Sequence, residues 1–371
     1  MALTQLCAYG KQDLHLTGNP TFSYFRGKIN ETYTNFACNN KTIKYNSAII
    51  LNEPCRFILR HEGDLIYKMY LKINIKGNLK KLVPNLGEKI IKKYSLGIVG
   101  GDGIEQILSS YDSDYMKICN YTNRENHDYI LYKNLIKEDN GSLIIPLLFW
   151  MCKDTYAALP ILSLQHVDVF IDIEFQEIAK LFKENLEISA ELLVDYISLD
   201  TEERRRFVSN SFEYLIEQVQ SVEYSIKNIE ETYIKSIEET YILPFKHLCK
   251  EIFWVITDTN GKEYLDVLDY CQILVNGQPR TENKQAIYFS KIQPYQNRRQ
   301  YMKGVYSYSF SLFPNNNKPS GSINLSRIDN VKLSCRFKKD KNLGNLKIKI
   351  YAVNYNWLNI QSGLAALAYS I

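Results

Sequence analysis

Five histidines, at positions 15, 61, 127, 166 and 247, are the residues best suited to proton transfer or metal binding, and their spacing organises neither. There is no HExxH pair, so zinc hydrolysis lacks its ligands, and each histidine reads as an ordinary strand or loop residue. The glycine-rich stretch LGIVGGDGIE (Leu96–Glu105) has neither the Lys-Ser/Thr of a phosphate-binding loop nor GxGxxG spacing. It reads as a flexible surface loop. No GxSxG nucleophile elbow occurs. Asp168, Asp172 and Glu174 project from one face of an alternating segment and could in principle gather a divalent cation. Calcium loops, however, interleave carboxylates with glycine turns, so a solvated or intersubunit face is expected here. Arg204, Arg205 and Arg206 are too few charges to hold membrane or genome strongly and suit a salt-bridged connector. No catalytic residue, metal or cofactor is assigned.

The remaining bulk features agree with a non-catalytic reading. Eight cysteines are scattered without a CxxC pair, as in a protein that keeps buried, reduced thiols and assembles in a cytosol. No basic and apolar leader opens the chain, and the longest apolar run, Leu143–Cys152, is too short to span a bilayer, so a soluble protein is expected. Five N-x-S/T triplets, at Asn30, Asn40, Asn120, Asn140 and Asn324, carry little weight as glycan sites without such a leader. The 45 basic and 41 acidic residues are interspersed, leaving no arm built for nucleic acid. Tyrosine is the outlier, with 28 copies; it suits strands, and its polar tip suits large contact surfaces.

At 371 residues the chain predicts two domains, each able to bury its own core. Val167, Val169, Ile171, Ile173 and Phe175 alternate with Asp168, Phe170, Asp172 and Glu174, the period of a strand with one wet face. Similar alternation runs through Ile188–Tyr196, Leu71–Lys76 and Lys347–Ile350. Ile252–Ile256 (IFWVI) is apolar on both faces and predicts a buried strand. Turn signals at Asp139-Asn140-Gly141, Asn260-Gly261, Asn276-Gly277 and Pro319-Ser320-Gly321 punctuate these runs, which predicts a sandwich or barrel. Helix is scarce. Asp200 with Glu203 three residues on forms a capping-box pattern for one short helix, and Glu177–Asn185 could form another. The halves echo each other faintly, Tyr67–Ile75 against Glu251–Asp258, and closing strands that end at Phe175 and Trp357. IEETYI occurs at Ile229–Ile234 and again at Ile237–Ile242, an even offset that keeps each side chain on one strand face.

Several separated segments then fall in a recognisable order. They are Leu16–Arg26 (LTGNPTFSYFR) with Tyr33–Ala37, Leu147–Phe175, Leu192–Phe207, Gln293–Gln296 (QPYQ), and finally Pro319–Leu333 and Ile350–Ile371. Together they resemble the double jelly-roll major capsid proteins of the nucleocytoplasmic large DNA viruses. The resemblance implies an all-β fold of two tandem eight-stranded antiparallel jelly rolls with short loop helices. It implies a base segment over 1–25, a first roll over 26–198, a connector over 199–210 and a second roll over 211–371. It further implies a homotrimer that forms a nearly hexagonal tile, packed against neighbouring capsomers, minor capsid proteins and the inner viral membrane. The protein would be virion capsid assembled in the host cytoplasm.

By the same resemblance Gly18, Asn19 and Pro20 form a turn in the base segment and Phe25 helps anchor it. Asp200, Glu203 and Arg204 belong to the connector, Arg327 and Asp329 lead into the strands that close the second core, and Gly363 and Tyr369 lie at a capsomer contact. The chain departs from the family in Gly363–Ala366, in Gly27–Tyr33 and in its shorter length. A low-copy minor or vertex-associated paralogue of the same fold is the alternative. A jelly-roll lectin or enzyme is disfavoured by the missing catalytic constellation.

Overall fold

The alternating segments are strands in the computed structural model, which describes residues 19–20, 32–45, 49, 53–76, 85–123, 126–137, 140–176, 187–226, 236–258, 264–316, 318–338 and 346–369. The first eight strands are β1 (Phe36–Lys44), β2 (Cys55–Leu59), β3 (Leu65–Lys76), β4 (Ile91–Gly100), β5 (Glu105–Asp112), β6 (Ser142–Pro146), β7 (Val167–Phe175) and β8 (Glu187–Leu199). They pair antiparallel into two four-stranded sheets, in the orders β1-β8-β3-β6 and β2-β7-β4-β5. First strand beside last, with sheets alternating along the chain, is the jelly-roll wiring.

The wiring repeats in β9 (Phe212–Ile226), β10 (Ser236–Ile242), β11 (Leu248–Asp258), β12 (Leu268–Val275), β13 (Gln278–Pro279), β14 (Lys284–Gln285), β15 (Val305–Ser309), β16 (Ile323–Asn324), β17 (Val331–Lys338), β18 (Leu346–Gln361) and β19 (Leu364–Leu367). One sheet runs β15-β11-β18, with β9 along β18, β16 on β11 and β19 on the end of β18; the other runs β10-β17-β12, with β13 and β14 on β12. The fold is therefore two tandem jelly rolls. The echo between Tyr67–Ile75 and Glu251–Asp258 marks equivalent strands, since β3 and β11 each pair with the last long strand of their roll. The second echo fails: Phe175 ends β7, whereas Trp357 lies inside β18. The second IEETYI copy lies in extended β10, while the first lies outside the described residues, as do Asn260-Gly261 and the Glu177–Asn185 helix.

Helices are more plentiful than the sequence reading expects. Besides α1 (Leu86–Lys89), the connection from β5 to β6 holds α2 (Ser113–Thr122) and α3 (Asn126–Ile136). Tyr115, Met116, Ile118, Cys119 and Thr122 line the buried face of α2 at helical spacing. The predicted connector helix is present as α4 (Thr201–Ser209), and QPYQ is a single turn, α5 (Gln293–Gln296), after a π-helical turn over Tyr288–Ile292. No helix among the described residues is long and apolar enough to cross a membrane.

Two further expectations need correction. Leu96–Glu105 is not a loop: β4 runs through Gly100, β5 starts at Glu105, and only the residues between them turn. Phe170 is 1% exposed although it shares the outward face of β7 with Asp168, Asp172 and Glu174. Its ring lies over Gly97 of β4, where a Cβ would come within 2.4 Å of it, and the Arg56 guanidinium lies 3.9 Å from its centroid. Arg56 then pairs with Asp172 and Glu105, so the carboxylate face carries its own cation.

The cores explain the apolar run Ile252–Ile256. Ile252, Trp254 and Ile256 point into the second roll with Ile348, Ile350 and Ala352. Phe253 and Val255 point the other way and join the core of the first roll, together with Tyr351, Val353 and Val305. The middle of β11 and β18 is thus buried on both faces, each large apolar side chain there contributing roughly 1.5–3 kcal/mol.

Candidate functional site: the seam between the rolls

The seam is built where β5 ends and α2 begins. Asp112 is the N-cap of α2, accepting from the Tyr115 N–H at 2.8 Å. The same carboxylate accepts from the Tyr351 hydroxyl of β18 at 3.0 and 3.1 Å and pairs with Lys349 at 2.6 Å. Lys349 reaches Asp114 at 3.5 Å, and the Tyr264 hydroxyl donates to Asp114 at 3.1 Å. Burial works against the Lys349 charge, but Asp112 and then Asp114 outweigh it and raise its pKa. Burial, followed by the same two carboxylates, pushes the Tyr351 hydroxyl far up, so it stays a donor. Behind them the tyrosine excess finds a use: Tyr351, Tyr115, Tyr111, Tyr94 and Phe149 contact ring to ring at 5.1–5.6 Å across both rolls.

A second group of ions lies deeper. Glu217 of β9 pairs with Lys153, from the segment after β6, and with Lys250 of β11. Burial would raise the Glu217 pKa, but the two ammonium groups overcome it and hold the carboxyl at about 2. Lys250, 2% exposed, also donates to the Pro314 carbonyl at 2.9 Å. Arg299 and Glu251, both almost fully buried, pair at 2.6 Å; Arg299 donates to Asn315 at 2.7 Å and its guanidinium lies 4.8 Å from the Phe253 ring centroid. Gln218 crosses the seam to the Leu108 carbonyl at 2.7 Å. The charges pair off, although Glu251 Oε2 and both Arg299 Nη atoms lack an aligned hydrogen bond, so the two rolls are held by opposed charge across the seam, and removing one member strands its partner. Beside them opens a cleft of about 1110 Å³ lined from both rolls, by Tyr67, Tyr70 and Lys153 on one side and Glu217, Lys250 and Pro314 on the other.

The residues singled out in the sequence lie elsewhere. Asp200 caps α4, although its carboxylate accepts from the Thr201 N–H at 2.8 Å and not from that of Glu203, which is half-buried. Arg204 pairs with buried Asp64 at 3.1 Å, and Asp64 also accepts from the Leu199 N–H at 2.7 Å, so α4 is pinned to the first roll by an ion pair. Arg205 pairs with Glu202. Arg327 ends a 3₁₀ turn before β17, and both it and Asp329 are exposed. Gly363 sits at φ +80° in the β18–β19 turn, its carbonyl accepting from the His166 N–H at 3.0 Å, so this turn docks on the first roll of its own chain. Tyr369 follows β19; its ring meets Trp357 edge-on at 5.9 Å and its carbonyl accepts from Asn356 at 2.8 Å. Asn19 is an exposed left-handed residue and Pro20 is exposed, while Gly18 and Phe25 lie outside the described residues. The described residues include no group of three or more His, Cys, Asp or Glu placed to hold a metal ion. Burial pushes the Cys119 thiol, beside the seam, up to about 11.

Sequence reasoning missed Asp112, Glu217, Lys250, Arg299, Lys349 and Tyr351. Asp112 alone had a local signal, a capping aspartate before an apolar helical pattern; the others acquire meaning only through partners far away in the chain.

Comparison with known proteins bears on the whole length. The family model described as large eukaryotic DNA virus major capsid protein matches residues 203–366, and that described as major capsid protein N-terminus matches residues 23–215. The major capsid protein of Pyramimonas orientalis virus is 31% identical, and that of Paramecium bursaria Chlorella virus 1 is 30% identical, each alignment covering 99% of both chains. Among solved structures, the VP54 protein of PBCV-1, fitted into a reconstruction of the virophage Sputnik, superposes with a TM-score of 0.81 at 26% identity, covering 94% of this chain and 100% of that one. The Faustovirus major capsid protein, at 10% identity, shares the fold with a TM-score of 0.76 over 97% of this chain and 96% of its own.

Proposed function

The chain belongs to the major capsid protein family of the large eukaryotic DNA viruses and is a structural protein of the virion capsid, and on that premise we propose that three copies close into one pseudo-hexagonal capsomer. The observation that carries this reading is the sheet shared by the two cores, which supports treating two similar rolls as one rigid body. A threefold ring of such bodies presents six similar edges, and six similar edges pack a flat lattice with one protein. We place the roll boundaries at 26–198 and 211–371, on either side of the connector, and residues 1–25 beneath the tile. The partners are neighbouring capsomers, with minor capsid proteins and the inner membrane below. The seam works by holding shape and carries out no reaction.

Light scattering of the purified chain tests the trimer: the expected mass is about three times 43.3 kDa. A stable monomer under assembly conditions refutes it. Densitometry of purified virions tests the major role, since a trace band there fits a low-copy paralogue instead.

A further inference from the structure

The two rolls treat the outer faces of their equivalent sheets differently. On β11 and β18 the outward residues Phe253, Val255, Tyr351 and Val353 are at most 1% exposed, and Tyr115 of α2 meets Tyr351 with ring centroids 5.6 Å apart. The connection between β5 and β6 in the first roll therefore acts as a plug on the second roll's sheet. In the first roll, strand register sets Thr42, Leu193, Tyr70 and Pro146 side by side on the outward face of β1-β8-β3-β6. No equivalent plug covers that row among the described residues, and all four side chains stay partly or fully exposed. It borders the cleft, which Tyr70 and Pro146 also line.

The second roll carries its own plug, unused within the chain. Where the first roll has α2 and α3 between β5 and β6, the second has the π-helical turn and α5 between β14 and β15. There Tyr295 is 85% exposed, with Ile287 at 48% and Ile292 at 43%. Each chain thus presents one open socket on its first roll and one open plug on its second. A heterologous contact that repeats the internal one from chain to chain forms a ring when its rotation closes, and on the trimeric reading it closes after three copies with six like steps.

We propose that the Tyr295 turn of one copy seats on the Thr42–Leu193–Tyr70–Pro146 face of the next, repeating between chains the contact that α2 makes with β18 within one. This rests on the trimeric reading and specifies which surfaces mate. A plug tyrosine sealed from water is the kind of residue on which an interface depends.

Cysteine cross-linking tests it, in a background with Cys7→Ser and Cys38→Ser to remove a thiol outside the described residues and an exposed one. Thr42→Cys with Tyr295→Cys, mildly oxidised, should run as covalent dimers and trimers on a non-reducing gel, while each single variant runs as monomer. Tyr295→Asp, at a position too exposed to disturb the fold, should weaken self-association at least ~30-fold by light scattering. If the wild-type chain is trimeric but the double variant gives no cross-link, the pairing is wrong and the trimer stands. If the wild-type chain is monomeric, the trimeric reading fails and this pairing falls with it.

Discussion

Asp112→Ala should loosen the seam, because three contacts end on that carboxylate. Loss of the α2 cap costs about 1 kcal/mol. The Tyr351 hydroxyl, almost fully buried, loses its acceptor, at a cost of about 1–3 kcal/mol. Lys349, with 22% of its side chain exposed, keeps Asp114 at 3.5 Å and loses under about 1 kcal/mol. Together the loss is about 2–5 kcal/mol, out of the roughly 5–15 kcal/mol that hold a typical domain. Asp112→Asn keeps an acceptor for both the cap and the hydroxyl and should cost only about 1–2 kcal/mol. Urea titration followed by tryptophan fluorescence measures each variant. A cycle with Tyr351→Phe should return a coupling of about 1–2 kcal/mol, because the two residues touch. An Asp112→Ala midpoint within about 0.5 kcal/mol of wild type, or an additive cycle, would refute the seam as described.

Three further outcomes follow from the same geometry. Glu217, held at about 2 when folded against 4.5 for a free carboxyl, binds its proton less readily in the folded state. Its stabilisation, about 3 kcal/mol, is therefore complete above about pH 4.5 and disappears as pH falls towards 2. Glu217→Gln should flatten the acid side of a melting-temperature profile in that window, and an unchanged slope would count against the pairing. Gly363→Val places a Cβ about 2.7 Å from the His166 ring at a φ of +80°, so the β18–β19 turn should lift. Hydrogen exchange should then rise over Leu364–Leu367 while β3 and β8 stay protected; uniform protection would show that the turn tolerates the change. Arg56→Met uncovers Phe170 and leaves Asp172 without its cation, which should cost about 1–2 kcal/mol in a thermal melt.

What was legible in the sequence was whatever repeats over short range. The alternation in Val167–Phe175 and Ile188–Tyr196 is strand because each of those segments packs one face on a core. Ile252–Ile256 announced double-sided burial, but not that the second covering layer would be the other roll. Phe170 misled because alternation places it among carboxylates, and only Gly97 and Arg56, on two neighbouring strands, make room for its ring and cover it. The helix after Asp112 has helical apolar spacing, but its tyrosines are residues that suit strands as well, so composition alone does not mark it. The seam itself was out of reach. Asp112 and Tyr351 are 239 residues apart, and no local pattern marks either as the other's partner.

The sheet that belongs to both cores also has a mechanical consequence. A loaded capsid shell bends wherever its joints are most compliant. Here the joint inside each chain is a continuous hydrogen-bonded layer clamped between two apolar interiors, with ions locked along its edge. Flexure should therefore concentrate between chains, so that the two rolls of each chain move as one stiff body and the curvature of the capsid is taken up at its borders.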